Sequence, residues 1–287
     1  MPQHLDDEAD LGLLSCLAQV ESIADVSAPV LRSLAARALV QIDGNARFTL
    51  HPLVQQDAAD RLRASGHEVD ARERHAEGFL ALVSDWDAQQ TTHEGIVAFS
   101  RLDRDQDNAR AGLQWSFERG DVDRARRYFD KLSLYWWRRG HWSEGEQWAR
   151  ALDARPGEPD GTLLCWTLID AAFFLTLQGH YAEAVAYMAR AEAMAERLAD
   201  PETTLRVLIV QAQAPVSLET AAFLYRQFFD TVPKMQTHSK SGGAAMEAAF
   251  HDIYGDRLRE AGRNDEAAAE YRQSLSLWRR MGNLDAI

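Results

Sequence analysis

The sequence predicts a mostly α-helical chain of 287 residues: a small N-terminal module of helices around one β-hairpin, then an α-solenoid of stacked helical hairpins. Three observations carry that expectation. A Gly, four residues, Ala-or-Gly unit recurs four times between residues 120 and 267. Strand-like patterning is confined to residues 39–51, and apolar positions of helical period fill most of the remainder.

Taken in order, residues 11–19 (LGLLSCLAQ) have helical periodicity. Ser27 is placed to cap a helix over 28–38, with Pro29 in its first turn and Leu31, Leu34 and Leu39 on one face. The stretch LVQI-DGN-ARFTLH then reads as two short strands around Asp43-Gly44-Asn45, residue types that tolerate positive φ. A further helix starts at Pro52, runs to Arg63 and is ended by Ser65-Gly66. Helix, helix, hairpin, helix is the outline of a winged-helix-like module. Residues 1–64 hold five arginines against nine acidic side chains, and only Arg32 and Arg37 fall on the helix that would read DNA. That balance argues against direct DNA binding and for a packing or gating role.

The repeated unit appears as GDVDRA at 120–125, GHWSEG at 140–145, GHYAEA at 179–184 and GRNDEA at 262–267. Glycine ends one helix in the left-handed conformation, a polar turn follows, and a small residue one turn into the next helix lets two axes approach. The last copy fits the tetratricopeptide (TPR) layout: Gly255-x-x-Leu258 on the first helix, Gly262 in the turn, Ala267-x-x-x-Tyr271 on the second. Ala172, Leu175, Gly179, Ala184 and Met188 repeat that layout. Between them lies room for one degenerate hairpin, whose second helix is expected over 218–232 with Ala221 or Ala222 as the small residue and Pro215 before it. Such hairpins cannot bury their apolar stripes alone and must stack. The expected segments are a winged-helix-like module at 1–66, a helical connector with first, loose hairpins at 67–155, and TPR-like repeats at 156–287.

Composition narrows the function. With 31 Lys+Arg against 44 Asp+Glu the formal charge is −13, which opposes broad nonspecific binding to nucleic acid or anionic membrane. Cys16 and Cys165 form no disulfide framework, no apolar run approaches a membrane span, and the acidic stretch at residues 4–8 does not read as a signal peptide, so a cytoplasmic protein is expected. None of the three lysines follows a phosphate-loop glycine pair; no Gly-x-Ser-x-Gly or Cys-x-x-Cys occurs; the nine histidines are scattered. Gly242-Gly243, in the polar stretch 237–243, reads as a flexible connection. No catalytic residue and no metal site is expected, and the chain is not expected to be an enzyme.

The order of motifs resembles the helical C-terminal half of bacterial STAND signal-transduction ATPases, including transcription activators of the maltose-regulon and antibiotic-regulator types. The resemblance is carried by VLRSLAARALVQIDGNARFTLHPLVQQDAADRL (30–62), ERHAEGFLALV (73–83), RLDRDQDNARAGLQWSFERGD (101–121) and LYWWRRGHWSEGEQWARAL (134–152). In that family an NTPase core precedes the winged helix, and a histidine at the start of its last helix contacts the β-phosphate of ADP. Leu50-His51-Pro52 occupies the corresponding place, so His51 resembles the nucleotide sensor, with proline where the family has an acidic residue. A half-buried histidine at a strand end is the alternative. The resemblance implies no cofactor in this chain itself, and ADP or ATP only where an NTPase core is supplied in cis or in trans.

Arrays of this kind bind partners on the concave face lined by their first helices. Carrying the register over gives Arg127, Asp130, Leu134, Trp137 and Arg138 on one helix, Trp166, Ile169, Phe173 and Thr176 on the next complete hairpin, and Asp252, Asp256 and Arg259 on the last. Aromatic anchors flanked by arginine suit an interface with a protein, a peptide or a small inducer. The Arg-rich stretches 124–127 and 138–139 read as solvated faces. The resemblance implies a regulatory sensor module; the alternative is a free-standing TPR scaffold or adaptor with no nucleotide linkage.

Overall fold

The computed structural model describes residues 28–42, 48–50, 52–155, 161–234 and 240–282. The chain divides into two compact units, Met1–Ala81 and Leu82–Ile287. In the first, helix α1 (Ala28–Ala36) leads into strand β1 (Val40–Ile42), which pairs antiparallel with β2 (Phe48–Leu50) in the register Val40 to Leu50. The helix ends two residues short of the expected 38, because Ala38 takes φ 57° and the Leu39 N–H turns back to the Leu34 carbonyl. Helix α2 (Pro52–Ser65) follows, closed by Gly66 at φ 78°. The expected helix over 11–19, Ser27, the turn at 43–45 and His51 lie outside the described residues.

Helix α3 (Glu68–Gln89) reaches into the second unit, which continues with α4 (Gly95–Arg119), α5 (Val122–Arg139), α6 (Trp142–Asp153), α7 (Thr162–Leu177), α8 (Tyr181–Leu198), α9 (Pro201–Gln213), α10 (Leu218–Thr231), α11 (Lys240–Glu260) and α12 (Asn264–Met281). Helix α11 begins at Lys240, so Gly242 and Gly243 are helical rather than part of the flexible connection expected over 237–243, whose first three residues lie outside the described residues. Among the described residues no helix is long and apolar enough to cross a membrane.

The repeated unit acquires a physical account. Gly120, Gly140, Gly179 and Gly262 stand at φ between 74° and 79°. In each, the N–H of the following residue bonds back five residues: Asp121 to Ser116, His141 to Trp136, His180 to Leu175 and Arg263 to Leu258. This satisfies carbonyls that the ending helix leaves open. That same following residue then begins the next helix, its carbonyl accepting from Ala125, Gly145, Ala184 or Ala267. All four small residues are buried. The hairpin α9–α10 lacks the glycine yet keeps the arrangement, with Ser217 as cap and buried Ala221 four residues on. Ala184→Leu or Ala267→Leu is expected to cost about 1–3 kcal/mol by overpacking these crossings, read as a lowered thermal midpoint.

The odd-numbered helices α5, α7, α9 and α11 pack in sequence as an inner row, and each packs against the even-numbered helix that follows it. Cores between hairpins are apolar. Cys165, Leu168, Ala172, Met188, Ala191 and Val207 form one, and Leu205, Leu208, Leu224, Phe228 and Phe250 another. Each fully buried large side chain contributes about 1.5–3 kcal/mol. The turn after α12 meets the loop before α4, where a Cβ on Gly282 would approach the His93 Cβ to 2.9 Å.

Candidate functional site

The inner helices wall a cavity of about 1520 Å³, with residues of α3, α4 and α12 completing its lining. Each inner helix faces it with a stripe at helical spacing, such as Glu202, Arg206, Ile209 and Gln213 on α9. The void exceeds the several hundred cubic ångströms usual for a small-molecule pocket.

Of the residues placed on the concave face by sequence, Asp130, Leu134, Trp137, Arg138, Ile169, Phe173, Thr176, Asp252 and Asp256 line this cavity. Trp137 and Phe173 meet edge to face with ring centroids 6.0 Å apart. Arg127, Trp166 and Arg259 do not line it. Arg127 is exposed toward the start of α5; Arg259 is exposed and turned to Asp256 at 3.5 Å. Trp166 lies beneath Arg206, whose guanidinium carbon is 3.8 Å from the ring centroid. Its indole N–H donates to Thr203 Oγ1 at 3.0 Å, so it serves as a platform within the wall.

Sequence reasoning missed the charge network in that wall. Asp130 accepts from Arg206 at 2.7 Å through one oxygen and from Lys131 at 2.8 Å through the other. Lys131 reaches on to Asp87 at 3.3 Å, and Arg206 to Glu202 at 3.3 Å. The Asp130 side chain is only 6% exposed. Burial pushes its carboxyl up, but Arg206 and Lys131 outweigh burial and hold it below the usual carboxylate range. Asp170 on α7 accepts from Ser133 Oγ at 2.6 Å. Among the described residues no cation lies within ion-pair distance of it, and burial drives its carboxyl up to about 7. Burial likewise drives Asp87 up to about 6, Lys131 opposing it.

Asp170 makes one contribution to the pH dependence of stability whose sign is set by its burial. Its folded value lies above the ordinary 3.8, so the folded state holds a proton that the unfolded chain releases as pH rises from about 4 to about 7. Stability from this residue is full below that window and lost above it. Asp170→Asn keeps an acceptor for Ser133 and removes the buried charge. The variant is therefore expected to be more stable at pH 8, by an amount on the order of a few kcal/mol, and unchanged near pH 3. Urea midpoints at the two pH values measure this.

Arg124 and Arg126 are buried, which corrects their reading as a solvated face. Arg124 donates to Ser116 Oγ at 2.9 Å, and Arg126 to the Leu152 carbonyl at 3.3 Å near the end of α6. Burial lowers the Arg126 pKa from its usual value, with Asp123 and Asp153 opposing the change. Arg139 is exposed but bound through two nitrogens to Asp103.

No protein-family model matches the chain. It is 31% identical over 126 residues to the protein named "Putative HTH-type transcriptional regulator Mb0914c" of Mycobacterium bovis, and equally to "Putative HTH-type transcriptional regulator Rv0890c" of Mycobacterium tuberculosis. The aligned stretch is 42% of this chain and 14% of each relative, so the chain spans a small part of their length.

Proposed function

We propose that the chain is the regulatory, ligand-sensing part of a transcriptional regulator of the STAND type. In this reading the first unit is a winged helix, the second a TPR-like array, and the inner cavity receives a peptide, a protein segment or a small inducer. The observation that carries it is the cavity itself, with the Trp137–Phe173 ring pair beside a desolvated charge network. Similarity to proteins named as HTH-type transcriptional regulators supports the regulatory side. The chain itself does no catalysis in this account, holds no cofactor, does not read DNA directly, and works in the cytoplasm away from membranes.

Such a module switches its partner only if the ligand binds one of two states better than the other. The NTPase core would supply the second state, with His51 on the β-phosphate of ADP; an imidazole donor suits a phosphate oxygen. The test starts from the coding sequence upstream of Met1. An in-frame P-loop core, and a longer protein that retains ADP and loses it on His51→Ala, supports the reading. A stop codon with no ATPase partner, and no ADP-dependent association with one supplied in trans, contradicts it and favours a free-standing scaffold.

A further inference from the structure

The basic side chains around the cavity are largely committed. Lys131 serves Asp130 and Asp87, and Arg206 serves Asp130 and Glu202. Arg139 is bound to Asp103, and Arg257 to Glu260 and the Gln213 carbonyl. Arg138 lies over the Phe99 ring with its guanidinium carbon 5.0 Å from the centroid. Two lining carboxyls hydrogen-bond to neutral donors, Asp170 to the Ser133 hydroxyl and Asp252 to the Trp278 indole N–H, and Asp170 is the one beside an aromatic pair. One turn along α7 from Asp170 is Phe173, in contact with Trp137 across the wall. Among the described residues no group of acidic, histidine or cysteine side chains converges to hold a metal ion.

Resting on the sensor reading above, we propose that the cavity takes a small organic cation, with an ammonium group on the Asp170 carboxylate and an apolar body against the Trp137–Phe173 ring pair. Charge complementarity selects that occupant. An anion would meet the Asp170 carboxyl and find the lining cations engaged. An ammonium supplies the missing counter-charge where water is scarce, and such an ion pair is stronger there than at the surface. The groups that bear on the Asp170 charge are Arg206 from α9, Asp130 from α5 and Asp87 from α3. An incoming ammonium favours the ionised carboxyl, so binding releases a proton.

The full chain can be titrated with dansylcadaverine, a fluorescent aromatic group on an alkylammonium arm, and with the dansyl derivative of 6-aminohexanoate, whose arm ends in a carboxylate. The ammonium probe is expected to bind at least about tenfold more tightly than the carboxylate probe. Asp170→Asn should weaken it by about tenfold or more, Trp137→Ala should weaken it too, and exposed Asp265→Asn should leave it unchanged. Its affinity should rise from pH 6 to pH 8 while its amine stays charged, a change absent in Asp170→Asn. Circular dichroism checks that each variant is folded. A peptide lysine presents the same ammonium; displacement by hexylamine but not by a blocked lysine pentapeptide assigns the site to a free amine, and the reverse overturns that assignment. Equal binding of the two probes, binding of neither, or an Asp170→Asn affinity within about twofold of the parent overturns the proposal. A preference for the carboxylate probe would overturn it while leaving the sensor reading intact, since a ligand still enters the cavity and that reading is tested separately by ADP retention.

Discussion

Replacing Arg206 with methionine is expected to cost up to about 3–5 kcal/mol, because it removes one of the two cations that hold the buried Asp130 carboxylate, leaving Lys131 alone on it, and takes away the positive charge that opposes burial at Asp170. For a unit of this size that lowers the melting temperature by roughly 6–20 °C. The loss comes from leaving the Asp130 charge only partly compensated rather than from the worth of the pair itself. Adding Asp130→Leu to Arg206→Met should therefore recover most of it, since an apolar pair of similar volume often replaces a buried ion pair without loss. Thermal melts of the single and double variants measure both effects. A single-variant loss under about 1 kcal/mol would mean that the network is screened by water as surface pairs are.

The second large effect is expected at Gly145, the copy of the repeat in which the small residue is glycine. A Cβ there would come within 2.6 Å of the Phe174 ring, which is fully buried between α6 and α7. On an exposed helix Gly→Ala gains about 1 kcal/mol from propensity alone. Here the ring must shift, and Gly145→Ala is expected to lose about 1–3 kcal/mol net, with Gly145→Val losing more. Phe174→Leu in the same molecule should reduce the penalty, because the two positions share one space. A stabilised Gly145→Ala variant would show that α6 and α7 do not approach so closely.

The hairpins were legible in the sequence because their determinants are local. Glycine in the left-handed conformation, a cap and a small residue four positions later fix a turn and a crossing within one short stretch. The degenerate hairpin α9–α10 was legible for the same reason through Pro215 and Ala221. Much of the cavity wall was legible as well, since residues spaced three and four apart on α5, α7 and α11 share a face. Arg127 and Arg259 lie on those helices but are exposed outside the lining, at positions that the length of the cavity decides. Asp87, Asp130, Asp170 and Arg206 come from four helices, and nothing near Arg206 in sequence distinguishes it from a surface partner of Glu202. One available signal was the scarcity of lysine, which makes Lys131 conspicuous. Arg124 and Arg126 were misread because a run of arginines looks solvated until the chain supplies Ser116 Oγ and the carbonyl at the end of α6.

The most specific property proposed for this molecule is that the cavity walled by its inner helices takes an organic cation at Asp170. Hydrogen–deuterium exchange of the full chain, with and without saturating dansylcadaverine, tests it most directly. Slower exchange is expected in α5, α7 and α9 around Asp130, Asp170 and Arg206, with little change in the outer helices α6, α8 and α10. Slowing confined to the outer helices, or no slowing anywhere in the second unit, would contradict it.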